Sequence, residues 1–335
     1  MEEQWKVYFD AGFWGHHGRD HAGKEIPIGK QLEWAGHHWV IPSVYSCGRG
    51  LVVDLCMRVS ARSIRSFMEK WKPGQEAGWY ESLSREQQMQ MELEHPLCMH
   101  IRPRIEVNGK MLQASRGCSV SFHPCLPDQA GREPEVKRIM DYYGLDDSFG
   151  WIIYRNAFRW AGRCRPEIRT LFLTLEQQPV QIPGPHVRLH GVGDRFTFSS
   201  PASGISHTLT VKEIEHQSLP SDRLADARLV CLTHYIAMSY TVSPEPTEKI
   251  SLFDCAESDR PRVIGQRGGE LHPAASGVSI IGGADGPTEI VLGTDFREPI
   301  HIAYSALHFE PVSEEVEWRM VFSVRQFEEA SFVLL

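Results

Sequence analysis

Apolar and polar residues alternate with a period of two through most of this 335-residue chain, the pattern of strands that bury one face. Val316, Trp318, Met320, Phe322 and Val324 fall on one side, with Glu315, Glu317, Arg319, Ser323 and Arg325 opposite. Leu51, Val53, Leu55, Met57 and Val59 repeat the rhythm, as do Ile236, Met238, Tyr240 and Val242, and Ile205, Leu209 and Val211 around a histidine. Turn residues punctuate these runs. Asn108-Gly109, between Arg104–Val107 and Lys110–Leu112, predicts a two-residue hairpin, because both residues tolerate the positive φ of a type I′ turn.

Helical spacing is confined to three places. Ser60 is placed to cap a segment in which Ile64, Phe67, Met68 and Trp71 share a face, ended by Pro73-Gly74. Ser84 with Gln87 predicts a capping box opening a helix through Leu93. Pro134 opens a third, with Val136, Ile139, Met140 and Tyr143 on one stripe and Gly144 as its C′ glycine. Helices thus sit in the first half and do not alternate with strands, which argues against Rossmann and TIM-barrel architectures. The expected fold is mainly β: two β-sandwich-like antiparallel domains, a helix-decorated one over 1–178 and a second over 179–335. The joint is expected near Gln177 to His186, where three prolines interrupt the pattern, and Glu257 to Ser276 reads as a second linker or long loop.

Composition narrows the class of partner. Hydrophobic residues make up 41% and charged residues 23%, an ordinary globular balance, and the net charge of −8 is spread along the chain. No Lys/Arg-rich run offers a phosphate-binding stripe, so neither nucleic acid nor an anionic membrane is an expected partner. No apolar window approaches the length of a transmembrane helix. The opening MEEQWKVYFD lacks the basic and apolar regions of a secretory signal, so a cytoplasmic location is expected, with the eight scattered cysteines reduced.

Three constellations carry candidate chemistry. Residues 279–288 read SIIGGADGPT. This run resembles the GGADGPT signature of the membrane β subunit of sodium-pumping decarboxylases, and the resemblance implies a cation-site carboxylate at Asp285. Read as plain structure, GGADGP is a turn between two β-rich flanks; read as a site, Asp285, Thr288 and nearby carbonyls would offer oxygen ligands. The second constellation, HHGRDH over 16–21, partly resembles the H-x-H-x-D-H metal motif of the metallo-β-lactamase superfamily. His16, Asp20 and His21 occupy motif positions, and Gly18 stands where a second histidine belongs. His37 and His38 are the candidates to complete a tetrahedral divalent-metal set. Third, Trp14, Trp34 and Trp39 lie close in sequence to both histidine pairs and form the candidate aromatic contact surface. Cys118, His123 and Cys125 also suggest a Cys-His couple, weighed against burial of the cysteines as small core residues.

No nucleophile elbow, P-loop or dinucleotide fingerprint is present. The expected function is therefore a binding or interaction module rather than an enzyme, its partner an unidentified protein or small-molecule ligand. The alternative is a metal-dependent hydrolase built on the amino-terminal His/Asp cluster.

Overall fold

A computed structural model describes residues 5–14, 20–73, 79–125, 134–162, 164–219, 229–230, 232–256, 262–264, 271–273, 299–312 and 316–335. Among these residues the chain is mainly β, with antiparallel sheets, none closed into a barrel, and three α-helices. It divides into two compact units, 1–179 with 325–335, and 180–324.

In the first unit the order is β1 (Lys24–Trp34), β2 (His37–Ser46), β3 (Gly50–Val59), α1 (Ala61–Trp71), α2 (Arg85–Glu94), β4 (Ile101–Val107), β5 (Lys110–Met111), β6 (Gln113–Phe122), α3 (Pro134–Tyr143), β7 (Gly150–Arg159) and β8 (Leu171–Gln177). In the second it is β9 (Val180–Arg188), β10 (Arg195–Ser199), β11 (Ser206–Ser218), β12 (Leu229–Val230), β13 (His234–Ser243), β14 (Lys249–Asp254), β15 (Arg262–Ile264), β16 (Leu271–Pro273), β17 (His301–Tyr304) and β18 (Glu317–Val324). The last strand, β19 (Ala330–Val333), returns to pair with β8.

The first unit packs a sheet of order β1-β2-β3-β7-β6 against one of order β19-β8-β4-β5. Between them lies a core containing Trp39, Ile41, Leu55, Met57, Ile105 and Leu173, all fully buried. The odd-numbered residues of β3 supply this core; its even-numbered residues face the other way, and those from Gly50 to Cys56 are buried too. Val52 meets Val7, Phe9 and Tyr45, and Cys56 meets Ile139 and Met140 of α3. The five-stranded sheet is therefore covered on both faces, on the second by α3 and the amino-terminal segment. In the second unit, β10-β11-β13-β17 and β14-β18-β9 enclose Leu209, Met238, Tyr240, Leu252, Trp318 and Met320. A small sheet of order β12-β15-β16 completes the strand pairing.

Local signals form as their chemistry requires. The Ser60 hydroxyl accepts from Ser63 N at 3.0 Å, and Ser84 with Gln87 makes a full capping box. Asn108 and Gly109 take φ of 51° and 76°, and Val107 pairs with Lys110 across the turn. Gly144, at φ 62°, ends α3, with Leu145 N bonded back to Met140 O. Two expectations need correction. The expected joint at 177–186 does hold the boundary between the units, after residue 179, but no break in strand structure follows it: from Val180 the chain is β9, an edge strand paired with β18, whose register shifts between Arg319 and Val321, where Pro183 to His186 lie opposite. Prolines belong at such edges and bulges, where no ladder donor is required of them. Within 257–276, residues 262–264 and 271–273 pair as antiparallel strands.

Candidate functional site

A buried ion pair lies inside the first unit. Cross-strand pairing sets Asp54 on β3 directly opposite Arg155 on β7, and the two are 0% and 4% exposed. The guanidinium is bidentate, Nε to Oδ1 at 2.8 Å and a terminal nitrogen to Oδ2 at 2.6 Å, while its other terminal nitrogen donates to Gly12 O at 3.2 Å. The Tyr143 hydroxyl donates to Asp54 Oδ2 at 2.6 Å and contacts the Tyr45 hydroxyl at 2.7 Å, which accepts from Trp5 Nε1 at 3.0 Å. Tyr142 extends the chain outward by donating to Glu25 Oε2 at 2.5 Å. Phe13 and Trp5 rings lie 4.4 and 5.5 Å from the guanidinium carbon.

Burial works against the charge on Arg155, but the facing carboxylate outweighs it and holds the guanidinium more firmly protonated. Burial, then the charge of Asp54, keeps Tyr143 protonated far beyond its usual range. Both carboxylate oxygens and all three guanidinium nitrogens have partners, so this network offers nothing to a substrate. Its work is to fasten α3 and residues 5–13 onto the sheet.

The residues singled out from sequence are not brought together. Trp39 is fully buried, with Nε1 donating to Trp34 O at 3.1 Å, and Trp34 is 6% exposed. Both belong to the first core, which corrects the expectation of a three-tryptophan contact surface; Trp14 alone of the three, 57% exposed, faces solvent. The proposed metal set is separated by the β1–β2 hairpin. His37 pairs with Trp34 beside the tight turn, whereas Asp20 and His21 precede Lys24 at the opposite end. Ten residues of strand put about 30 Å between them, so His37 and His38 do not complete a site with Asp20 and His21. Asp20 lies 3.8 Å from Arg49, and His38 Nδ1 is 2.7 Å from Glu33. His37 is pushed below its usual range, mainly by burial. Among the described residues no three His, Cys, Asp or Glu groups converge as metal ligands. His16, Asp285 and Thr288 lie outside the described residues. Cys125 Sγ points to Ala61 O at 3.7 Å and His123 Nε2 to Ser121 at 3.3 Å, so they do not form a couple.

A different site emerges in the second unit. The turn between β13 and β14 and the start of β17 border a half-open cleft of 220 Å³. Its floor is apolar, from Tyr240, Val242 and Ile250; Glu245, Thr247, Glu248, Lys249, His301 and Ile302 form the walls. His301 pairs in register with Tyr240, and their rings stack at 5.3 Å. His301 Nε2 lies 3.1 Å from Glu245 Oε1. Behind the turn, His207 is 3% exposed, and its Nδ1 is 2.6 Å from Pro244 O. A carbonyl only accepts, so Nδ1 carries a proton. Burial alone would raise the Glu248 carboxyl; the nearby Ser200 and Thr247 hydroxyls, its own backbone amide and His207 more than reverse this and hold it below its usual range.

The outer face of the neighbouring sheet carries a second, shallower depression of 340 Å³, lined by Glu213, Glu215, Gln217, Tyr235 and Tyr304 among others. The two tyrosine rings meet edge-on at 5.9 Å. Ile302 borders both depressions.

The cleft combines an apolar floor with a few convergent polar groups, the usual composition of a small-ligand site. No protein-family model, curated protein or solved structure matches the chain. Glu245 and His301 stand 56 positions apart in sequence and meet because β13 pairs with β17. Asp54 and Arg155 did leave a signal: each is a lone charge inside an apolar run, LVVDLCM and WIIYRNAF.

Proposed function

We propose that the chain is a non-enzymatic binding module whose second unit receives a small molecule in the cleft beside the β13–β14 turn. The observation that carries this reading is the convergence of the Glu245–His301 pair and Glu248 on a half-open space floored by Tyr240, Val242 and Ile250. Aliphatic and aromatic floor atoms supply contact area, and the carboxylates supply orientation. The division of the chain into two units supports a two-domain protein in which the first, held by its Asp54–Arg155 network, acts as scaffold.

The test is thermal unfolding of the full chain with a panel of small amines, polyols and carboxylates, repeated on Thr247→Trp. Thr247 is exposed on the cleft wall, so the indole narrows the space without entering the core. A ligand present at about 100 times its Kd stabilises by roughly 2.7 kcal/mol, several degrees in melting temperature. Such a shift is expected for at least one class in the wild type and not in Thr247→Trp. A panel without effect, or shifts that survive the block, would refute a ligand site here.

A further inference from the structure

We propose that Cys255 is a thiol–disulfide exchange site, at which the chain captures a low-molecular-weight disulfide as a mixed disulfide, with His186 and Arg319 holding its thiolate ready. None of these residues lines the cleft.

Sheet register assembles the group. In the sheet of order β14-β18-β9, Arg319 pairs with His186 and Glu317 with Arg188. Trp318 and Val187, between them, belong to the core, so these four side chains leave from the other face. Cys255 follows directly on β14, and its N–H donates to Glu317 O at 2.8 Å. Its Sγ lies 3.4 Å from His186 Nδ1, and Glu317 Oε1 lies 3.3 Å from the same nitrogen. The other ring nitrogen, Nε2, is bonded to Arg319. A guanidinium only donates, so Nε2 accepts, and the ring proton sits on Nδ1, directed at the sulfur and the carboxylate. An N–H aimed at sulfur with a guanidinium behind it favours the thiolate, which is the nucleophilic form. Of the carboxylates nearby, Glu317 is shared with Arg188 at 3.5 Å, and Asp254 accepts from Ala256 N and Ala306 N at 2.8 Å each.

The other cysteines lack this combination. Burial pushes the thiols of Cys47, Cys56, Cys98 and Cys118 up, and it does so at Cys98 although His100 Nε2 is 3.5 Å away. Cys125 Sγ meets a carbonyl, which does nothing for a thiolate. Among the described residues only Cys164 and Cys255 are exposed. Sequence would rank these two the other way, since Cys164 stands between Arg163 and Arg165 while Cys255 follows Asp254. Folding alone brings Cys255 its imidazole and its guanidinium. In the exchange the Cys255 thiolate attacks one sulfur of a disulfide R–S–S–R, and the Sγ–S bond forms as the S–S bond breaks. The Cys255 sulfur is oxidised, and the departing thiolate RS⁻ is the reduced product, which takes a proton from solvent.

The experiment exposes the reduced full chain to oxidised glutathione at pH 7 and follows each cysteine by peptide mapping after alkylation of the remaining thiols. Cys255 is expected to form the mixed disulfide about three to ten times faster than Cys164, the gain from a larger thiolate fraction being partly offset by lower intrinsic nucleophilicity. In denaturing urea the order should reverse, as the neighbouring charges in sequence dictate. His186→Phe, at an exposed edge-strand position, should slow Cys255 by about threefold and leave Cys164 unchanged. The pH midpoint of Cys255 alkylation by iodoacetamide should rise in the same variant, a shift that altered packing alone would not produce. Equal rates for the two thiols in the folded chain would overturn the proposal, as would a preference for Cys255 that persists in urea, or a His186→Phe variant with an unchanged Cys255 midpoint. Rapid alkylation of Cys255 without any glutathione adduct would overturn the assignment of a disulfide as its reactant.

Discussion

Replacing Arg155 with methionine would test whether the buried ion pair organises the first unit. Methionine keeps much of the side-chain length and an apolar stem but gives up the guanidinium that the Phe13 and Trp5 rings face, so the change removes the charge together with its ring contacts. Asp54, fully buried, would then face no cation and lose the two hydrogen bonds from the guanidinium, retaining that from Tyr143. Breaking a buried pair by removing one partner typically costs about 3–5 kcal/mol, two to three and a half powers of ten in the folding equilibrium. With a urea dependence of about 2 kcal/mol per molar, the midpoint of the first unit should fall by roughly 1.5–2.5 M, followed by far-UV circular dichroism. Because Arg155 also holds Gly12 O, residues 5–13 should become cleavable by protease before the rest. The double variant Asp54→Leu/Arg155→Met removes both charges, and should recover most of the loss, since apolar replacements of buried pairs are often neutral. A single variant within about 1 kcal/mol of wild type, or a double variant worse than the single, would refute the reasoning.

Three further outcomes are expected. His123, pushed down to about 4 chiefly by burial and secondly by His95, takes up its proton in the unfolded chain near pH 6.5 but in the folded chain only near pH 4. Its contribution is therefore complete above pH 6.5 and lost as pH falls to 4, on the order of 3 kcal/mol; His123→Leu should flatten that part of the stability profile, and an unchanged slope would contradict it. Asn108 accepts from Arg169 N and Thr170 N and donates to Glu167 O, at 2.7 to 3.0 Å, while holding a positive φ; Asn108→Ala should cost about 2 kcal/mol in chemical unfolding, and a loss below about 0.5 would show that the turn needs no asparagine. Trp39→Ala, which empties a fully buried site in the core between the two sheets, should cost about 3–5 kcal/mol, whereas Trp14→Ala should leave the unfolding midpoint nearly unchanged; equal losses would place both in the same environment.

Local physics was readable because its cause is local. A capping box at Ser84, an Asn-Gly turn at 108–109 and a C′ glycine at 144 each satisfy their own neighbours, and all three form. Strand alternation also survived, since burying one face of a strand leaves a two-residue trace wherever the partner comes from. What failed was long-range. Trp34 and Trp39 look alike to Trp14 in sequence, and only pairing of β1 with β2 over the second sheet decides that they go inside. The two-sided burial of β3 was half visible: Val52 and Cys56 are apolar on the face that a one-sided strand would make polar, but what covers them comes from residues 5–13 and α3. The return of β19 to β8 joins residues more than 150 positions apart, and no periodicity announces it. Pro183 and Pro185 misled because a strand at a sheet edge, with a register shift, accepts prolines that a central strand would reject.

The same division explains why the cleft escaped sequence reading while the less informative motifs stood out. Glycine-rich and histidine-rich runs are conspicuous because their residues are contiguous, yet contiguous residues on a strand point to opposite faces and seldom act on one ligand. The cleft takes Tyr240 from mid-strand, Glu245 and Glu248 from the turn that follows, and His301 from a strand paired with the first. Each is ordinary where it stands: a tyrosine in an apolar alternation, two glutamates in SPEPTEK, a histidine opening a short strand. Their chemistry arises from the register Tyr240 opposite His301, which stacks the rings and brings the imidazole to Glu245. A slip of one residue in that pairing would turn His301 to the other face, so the site is a property of the sheet register before it is a property of any residue. His207 depends on the next ladder along: Thr208 pairs with Ser243, which carries the adjacent histidine to the Pro244 carbonyl. The proposed cleft and the pairing of β11, β13 and β17 are thus one structural fact, and a substitution that shifted that register would dismantle the cleft with every one of its side chains still present.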